Sequence, residues 1–481
     1  MAYKHGVYVS EVPTSIVPAV NTTAGLPVVF GTAPVHLATD RAAANRPVLC
    51  YSYAEAVQQL GFSKDWTKYT LCEVMYSQFA LYNRGPVVFV NVLDPKTHKK
   101  SVADKSVDIA DRVATLDAPV LLDTLKIKAS AVGSELVAGK DYEAAYDDDG
   151  ALVITLLDDG TASATSSLIL AYDELDPTAV DQDDIIGGIS VSDGSVKGLE
   201  CLNKVFPLTG LVPGIVLAPG WSHEPTVAAV MKAKAGNINS HFKAITLNDV
   251  PTDSVKKYTD VKNWMNQNSY NDTAQVVCWP MVKMGDDIYH MSTHVLGVIA
   301  TVDSANGDIP YESPSNKSMQ INGCCLKDGT EVVLGPDEAG YLNGQGVVTA
   351  LNFIGGWKCW GNRTACYPSN TDPKDAFISI RRMFYWHAQT FIQTYWAKVD
   401  KPINKRLIQT VMDSENIRLN GLAAQGCILG GRVEFRDDEN PVTNLMDGII
   451  KFHTYITPCA PAREIENVLE YDPAYFETLF G

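Results

Sequence analysis

The sequence predicts a multi-domain chain, α/β in its central part and α+β toward its end. Three observations carry this expectation. Short apolar runs alternate with helical stretches between residues 205 and 280, residues 101–200 break that texture with an acidic, turn-rich composition, and after residue 375 two helical stretches precede a pair of β-rich strings. The 481 residues leave room for about three domains, each able to bury a core without disulfide staples.

Taken in order, LPVVFG (Leu26 to Gly31) reads as a first buried strand, followed by helices over Tyr53 to Leu60 and Cys72 to Tyr82 and a strand over Gly85 to Val92. Beyond residue 200, Gly214 to Pro219, Phe242 to Asn248 and Gln275 to Trp279 read as strands, separated by helices over Glu224 to Ala235 and Asp253 to Gln267. Continuous apolar runs of this kind suit parallel strands covered on both faces. In GWSHEP, Ser222 is expected to cap the following helix, with Pro225 in its first turn.

Between these halves, residues 101–200 hold 21 Asp and Glu against 6 Lys and Arg, and no Cys, Trp or Phe. Such a break marks an inserted all-β module facing solvent, with strands expected over Leu121 to Ala129, Ala151 to Leu157 and Ser166 to Ala171. The stretch 94–100 and the glycines 187–194 are its expected boundaries. Asp147-Asp148-Asp149-Gly150 and Asp158-Asp159-Gly160 are turn chemistry before they are calcium chemistry, because no twelve-residue EF-hand loop is present.

From Asp375 onward, Phe377, Ile380, Phe384, Ala388, Phe391 and Tyr395 fall at steps of three and four and predict one apolar helical stripe. Pro402 is expected to open a second helix with Ile403, Leu407 and Val411 inward. GCILGGRVEF and GIIKFHTYI then flank a polar connector, Arg436 to Pro441, as a hairpin would. Residues 374–436 carry ten Lys and Arg against five Asp and Glu, so this part reverses the charge of the whole and suits either an acidic partner or an ordinary solvated face.

The chain as a whole carries 39 Lys and Arg against 56 Asp and Glu, a net charge of -17, which disfavours nucleic acid and anionic lipid as partners. No run of about 18 uncharged apolar residues occurs and the first residues lack a signal-peptide core, so a soluble protein made in the cytoplasm is expected. The ten cysteines show no CxxC pair and read as reduced, mostly buried thiols. His290 and His294 form the best zinc candidate by spacing but lack the glutamate of HExxH. Gly344-Gln345-Gly346 lacks the third glycine of a dinucleotide turn, and no GxxxxGK[ST] or GxSxG occurs. No catalytic residue, cofactor or metal is therefore assigned.

Both ends are strand-like yet set off by prolines. YKHGVYVSEV precedes Pro13 and Pro18, and Pro458 and Pro461 precede REIENVLEY (Arg463 to Tyr471). A lone strand in water does not offset its ordering entropy of about 1–2 kcal/mol per residue, so each end must either fray, return to its own sheet or join another edge.

Ordered along the chain, HGVYVSEVP, LPVVFGTAP, YNRGPVVFVNV, GLVPGIVLAPGWSHEPTV, SPSNKSMQING, Trp360-Gly361-Asn362-Arg363-Thr364, Ile380-Arg381-Arg382 and Gly421 to Gly431 resemble the sheath proteins of contractile phage tails, R-type tailocins and related injection machines. Only residues 101–200 fall outside the resemblance. It implies a non-enzymatic subunit that polymerises as a helical stack of six-fold rings around an inner tube and contracts to drive that tube through a target envelope.

The implied organisation is an N-terminal arm (1–22), an α/β domain in two parts (23–100 and 201–365), the inserted outer domain (101–200), an inner domain of helices and hairpin (366–458) and a C-terminal arm (459–481). Val7, Tyr8, Val9 and Val12 would form one lent strand, and Ile465, Val468, Leu469 and Tyr471 the other. Ile428, Val433, Phe435, Ile449, Phe452 and Tyr455 would belong to the accepting hairpin. Lys398, Lys401, Lys405 and Arg406 are candidates to face the tube.

Implied partners are further copies of the chain, the inner tail tube protein, and baseplate and terminator proteins at the ends, without nucleic acid or membrane insertion. The particle, a virion tail or injection device, would be assembled in the bacterial cytoplasm. Competing expectations are an α/β hydrolase or nucleotide-dependent enzyme on residues 205–350, or a static virion shell or tube protein.

Overall fold

The computed structural model describes residues 20–21, 24–147 and 149–480. Its centre is a nine-stranded sheet in the order Lys317–Ser318, Trp357–Trp360, Val347–Asn352, Gln275–Cys278, Ile245–Asp249, Ile215–Leu217, Pro27–Gly31, Val87–Asn91 and Val48–Cys50. The six strands from Val347–Asn352 to Val87–Asn91 run parallel, and the edges add antiparallel strands. Pro27–Gly31, Ile215–Leu217, Ile245–Asp249 and Gln275–Cys278 are buried along their whole length, as strands covered on both faces must be.

Helices cover this sheet. Tyr53–Leu60 runs as the sequence indicates, its N-cap Ser52 accepting from the Glu55 amide. Thr70–Met75 continues as a π-turn, Tyr76–Leu81, against the helix Met291–Ala305. Gly297 of that helix meets the Tyr82 ring so closely that an added Cβ would lie 2.3 Å from it. Pro225–Ala235 starts with Pro225 in its first turn.

Ser222 does not cap that helix. Its hydroxyl is buried and accepts from the Asp249 amide at 3.0 Å, binding the strand end to the loop instead. The helix expected from Asp253 begins only at Val261, after a 3₁₀ turn at Tyr258–Asp260. The Val255 carbonyl is taken by the buried indole N–H of Trp279 at 3.0 Å, so the preceding segment is held as a loop. Gly344 and Gly346 are loop glycines, Gly346 with φ of +78°.

Residues 99–175 build two three-stranded antiparallel sheets. One has the order Lys99–Asp108, Ser167–Leu175, Lys126–Lys128, and the other Val113–Leu116, Leu152–Leu156, Tyr142–Tyr146. Leu152, Ile154 and Leu156 alternate inward toward Leu168, Leu170 and Ile127. Two expectations fail locally. Leu121 to Ala129 is a 3₁₀ turn, Leu122–Thr124, followed by a short strand, and the supposed boundary loop runs into the longest strand, Lys99–Asp108. That strand is exposed on nearly every residue, so it carries no apolar alternation to read.

The C-terminal part consists of the helices Ile378–Tyr395 and Lys405–Ala424 and a separate two-stranded antiparallel sheet, Ile428–Glu434 with His453–Pro458. The stripe read from the sequence is rotated from the true buried face. Ala388 is exposed and Phe384, Phe391 and Tyr395 are only half-buried, whereas Ile380, Met383 and His387 are buried. Pro402 lies in the linker, Asn404 caps the second helix by accepting from the Leu407 amide, and Ile403 is exposed. Val411, Glu415, Leu419 and Leu422 form the inward side.

Candidate assembly interface

The hairpin stands apart from every other sheet, and among the described residues its two strands pair with each other alone. Ile428 and Val433 are buried against Leu419, Leu422 and Met383, which fixes one face of the hairpin on the helices. Phe435 and Phe452 pack ring to ring at 6.1 Å, and Phe452 reaches Phe391 at 6.4 Å. Tyr455 lies under the Arg432 guanidinium at 3.9 Å. Ile449 and Phe452 precede the second strand rather than lying in it, and Ile449 is exposed.

The edges of this hairpin differ. Asn416, from the helix beneath, accepts from the Val433 amide at 2.8 Å and donates to the Val433 carbonyl at 3.2 Å, so the outward backbone groups of that residue are already satisfied. Val433 faces Thr454 in the register, and in an antiparallel ladder residues opposite each other share the same sense. If the groups of Val433 point outward, so do those of Thr454 and, two residues on, Ile456. The edge His453–Pro458 thus has outward groups at Thr454 and Ile456 with no partner among the described residues, whereas the other edge is occupied at Val433.

The C-terminal arm leaves the body after Pro458. Residues 459–472 contain no strand and end in a 3₁₀ turn, Pro473–Leu479. Ile465, Val468, Leu469 and Tyr471 are 89%, 80%, 87% and 75% exposed, a density of uncovered apolar side chains that isolated folded surfaces avoid. Val7, Tyr8, Val9 and Val12 lie outside the described residues. Val20–Asn21 pairs in parallel with Arg84–Gly85.

Lys398, Lys401, Lys405 and Arg406 are all exposed around the junction of the two long helices, and no ion pair joins them to a described residue. Beneath them the helices are tied by a buried polar cluster. Glu415 accepts from Arg418 Nε at 2.8 Å and from the Tyr395 hydroxyl at 3.1 Å. Arg418 also donates to His387 Nδ1, and burial with the neighbouring guanidinium depresses that histidine to about 4, keeping it neutral.

At the carboxyl ends of the parallel strands, the position where α/β enzymes place their chemistry, several polar groups are bonded to one another. Asp249 accepts from the Ser292 amide at 2.9 Å and the Ser292 hydroxyl at 2.5 Å. His290 donates from Nδ1 to Glu73 at 2.8 Å. Burial works against its imidazolium, but the charge and hydrogen bond of Glu73 outweigh it and hold the pKa up at about 9. His294 is buried beside the Tyr82 hydroxyl at 3.1 Å and depressed to about 3 by burial, so the two histidines of HMSTH serve separate partners. Among the described residues no group of three or more His, Cys, Asp or Glu could hold a metal ion, and no helix is long and apolar enough to cross a membrane.

Aligned over its whole length, the chain is 27% identical to the tail sheath protein of Burkholderia phage BcepMu and covers 99% of it. This chain is a homologue of phage tail sheath proteins. Over 73% of its length the homologue is also 23% identical to the tail sheath protein of Escherichia phage P2, covering 84% of that protein. No family model matches it. Its fold is that of contractile sheaths. It superposes on the sheath complex of an extracellular contractile injection system in the contracted state with a TM-score of 0.57, 14% identity and 99% coverage of both chains. On the helical sheath of the anti-feeding prophage, also contracted, the TM-score is 0.55 at 14% identity, covering 98% of this chain and all of the other.

Proposed function

We propose that this sheath homologue is a structural subunit that polymerises around an inner tube as a helical stack of six-fold rings and contracts by repacking its folded bodies while its arms remain woven into neighbours. The observation that carries this reading is the pairing of a donor without an acceptor and an acceptor without a donor. The exposed apolar arm 463–471 pairs with no strand among the described residues, and the edge His453–Pro458 has outward backbone groups at Thr454 and Ile456. Strand addition at that edge would supply about four main-chain hydrogen bonds, two at each of these residues, each contributing about 0.5–1.5 kcal/mol net.

Pro458 and Pro461, like Pro13 and Pro18, would keep the tethers extended while bodies rotate about them. The six-fold arrangement is supported by the likeness to a chain of the anti-feeding prophage baseplate, a structure symmetrised six-fold, with a TM-score of 0.58. The proposed domains are those expected from the sequence, with the acidic β module of residues 101–200 pointing outward and keeping filaments apart. Lys398, Lys401, Lys405 and Arg406 would meet an acidic tube wall through screened ion pairs, each weak enough to exchange as the sheath slides.

Deleting residues 1–12 or 463–481 tests the weave. Electron microscopy of each variant should show folded monomers and no tubes; tubes in undiminished yield would end the reading. Replacing the four basic residues with Glu should remove assembly on the tube while leaving tube-free polymers.

A further inference from the structure

An apolar cleft of about 480 Å³ opens between the body and the first long helix of the C-terminal part. Phe206, Pro207 and Phe242 form one wall, Ile392 and Trp396 the other. The walls are held in register because Gln389 donates to the Lys243 carbonyl at 2.7 Å and His241 meets Trp396 edge-on at 5.1 Å. Phe206 and Phe242 already meet at a tilt of 57°, their centroids 5.0 Å apart, yet Trp396 remains 58% exposed. Lys204, Lys243 and Lys398 flank these walls in sequence, are exposed and enter no ion pair with a described residue.

The last residues of the chain have the complementary character. In the 3₁₀ turn Pro473–Leu479, residues three apart eclipse one another, so Phe476 and Leu479 share one edge, with Tyr471 against Phe476 at 6.2 Å. Tyr475, Phe476, Leu479 and Phe480 are exposed, and Glu470, Asp472 and Glu477 lie among them. An apolar cleft whose wall segments carry exposed lysines and an acidic apolar tip therefore occur on the same chain.

We infer that the cleft receives the tip, Tyr475 to Phe480, of a second copy, with Phe476 and Leu479 entering against Trp396 and the acidic residues meeting Lys204, Lys243 and Lys398. The stretch 459–472 can span roughly 45 Å when extended, enough to carry the tip past the accepting hairpin to another body. Burial of two large apolar side chains contributes on the scale that fixes an anchor rather than a passing contact. The inference rests on the arm being lent to neighbours and adds where its end is locked.

The test mixes two variants in a Cys459→Ser background, one with Trp396→Cys and one with Phe476→Cys, polymerises them together and oxidises. A cross-linked dimer is expected in polymer and absent from dilute monomer. A second mixture, Thr457→Cys with Val468→Cys, places one thiol on the accepting edge itself and reads lending of the arm independently. A cross-link in the second mixture without one in the first overturns the cleft assignment alone, and loss of both overturns the lending reading as well. Leu208→Cys, exposed and next in the chain to the wall residue Pro207, replaces Trp396→Cys if that variant fails to polymerise.

A double variant that cross-links within one dilute molecule would show the tip folding onto its own body and would overturn the inference. So would protection of Trp396→Cys from alkylation only when tube protein is present, which would give the cleft to the tube.

Discussion

Arg382 and Asp303 meet as a two-pronged ion pair in the interior, Nη1 donating to Oδ1 at 2.9 Å and Nη2 to Oδ2, with both side chains almost wholly buried. Arg382 belongs to the first long C-terminal helix and Asp303 to the helix Met291–Ala305, so the pair is a joint between the body and the inner part of the chain. Gly25 closes over it, since a Cβ there would lie 2.9 Å from the guanidinium and 3.0 Å from the carboxylate. Removing one partner strands the other charge. Arg382→Leu or Asp303→Asn is therefore expected to destabilise the monomer by about 3–5 kcal/mol in urea unfolding, whereas Arg382→Met with Asp303→Leu should lose much less.

His290 sets the alkaline limit of stability. Its pKa is raised from 6.5 to about 9 by Glu73 in the folded chain, so folding favours the protonated form. That contribution is complete below pH 6.5, decays as pH rises and is gone above pH 9, worth at most about 3 kcal/mol. Thermal unfolding of the parent should weaken across this window relative to Glu73→Gln, whose profile there should be flatter. His36 and His387, depressed to about 4 chiefly by burial, act in the opposite sense, costing stability as pH falls from 6.5 toward 4.

Thr454→Pro separates folding from assembly. Its N–H points away from the ladder because Val433 opposite is bonded to Asn416, so proline removes a group needed only by an incoming strand. The variant monomer should unfold near the parent midpoint while its yield of tubes falls at least tenfold. A comparable loss of monomer stability would show that the amide already serves within the chain.

The thiols should be almost silent in the folded protein. Nine of the ten cysteines are buried, and burial raises their thiols, to about 11 at Cys325 and about 12 at Cys50, Cys72, Cys201 and Cys359. Brief alkylation at pH 8 followed by mass spectrometry should modify Cys459 alone, and all ten after denaturation.

The secondary-structure pattern was legible where burial is two-sided or alternates cleanly. Pro27–Gly31, Ile215–Leu217 and Gln275–Cys278 show as apolar runs, and Leu152–Leu156 as alternation, because each strand's surroundings are written in its own residues. Lys99–Asp108 was hidden because an exposed strand takes its pairing from Ser167–Leu175, not from its own side chains. The rotation of the first long helix was hidden for a related reason: polar His387 is drawn inside by Arg418, while Ala388 faces out.

By itself the sequence determined the alternation of strand and helix, the acidic insertion, the absence of a recognisable catalytic motif and the proline-bounded strings at both ends, since these depend on residue type and local spacing. Tertiary structure decided that one edge of the hairpin is occupied at Val433, because that depends on Asn416 reaching it from a helix 17 residues earlier in the chain. It also decided that Arg382 finds Asp303, and that an apolar cleft lies between Phe206 and Trp396. Contacts between distant segments depend on how the whole chain packs, and local spacing does not encode them.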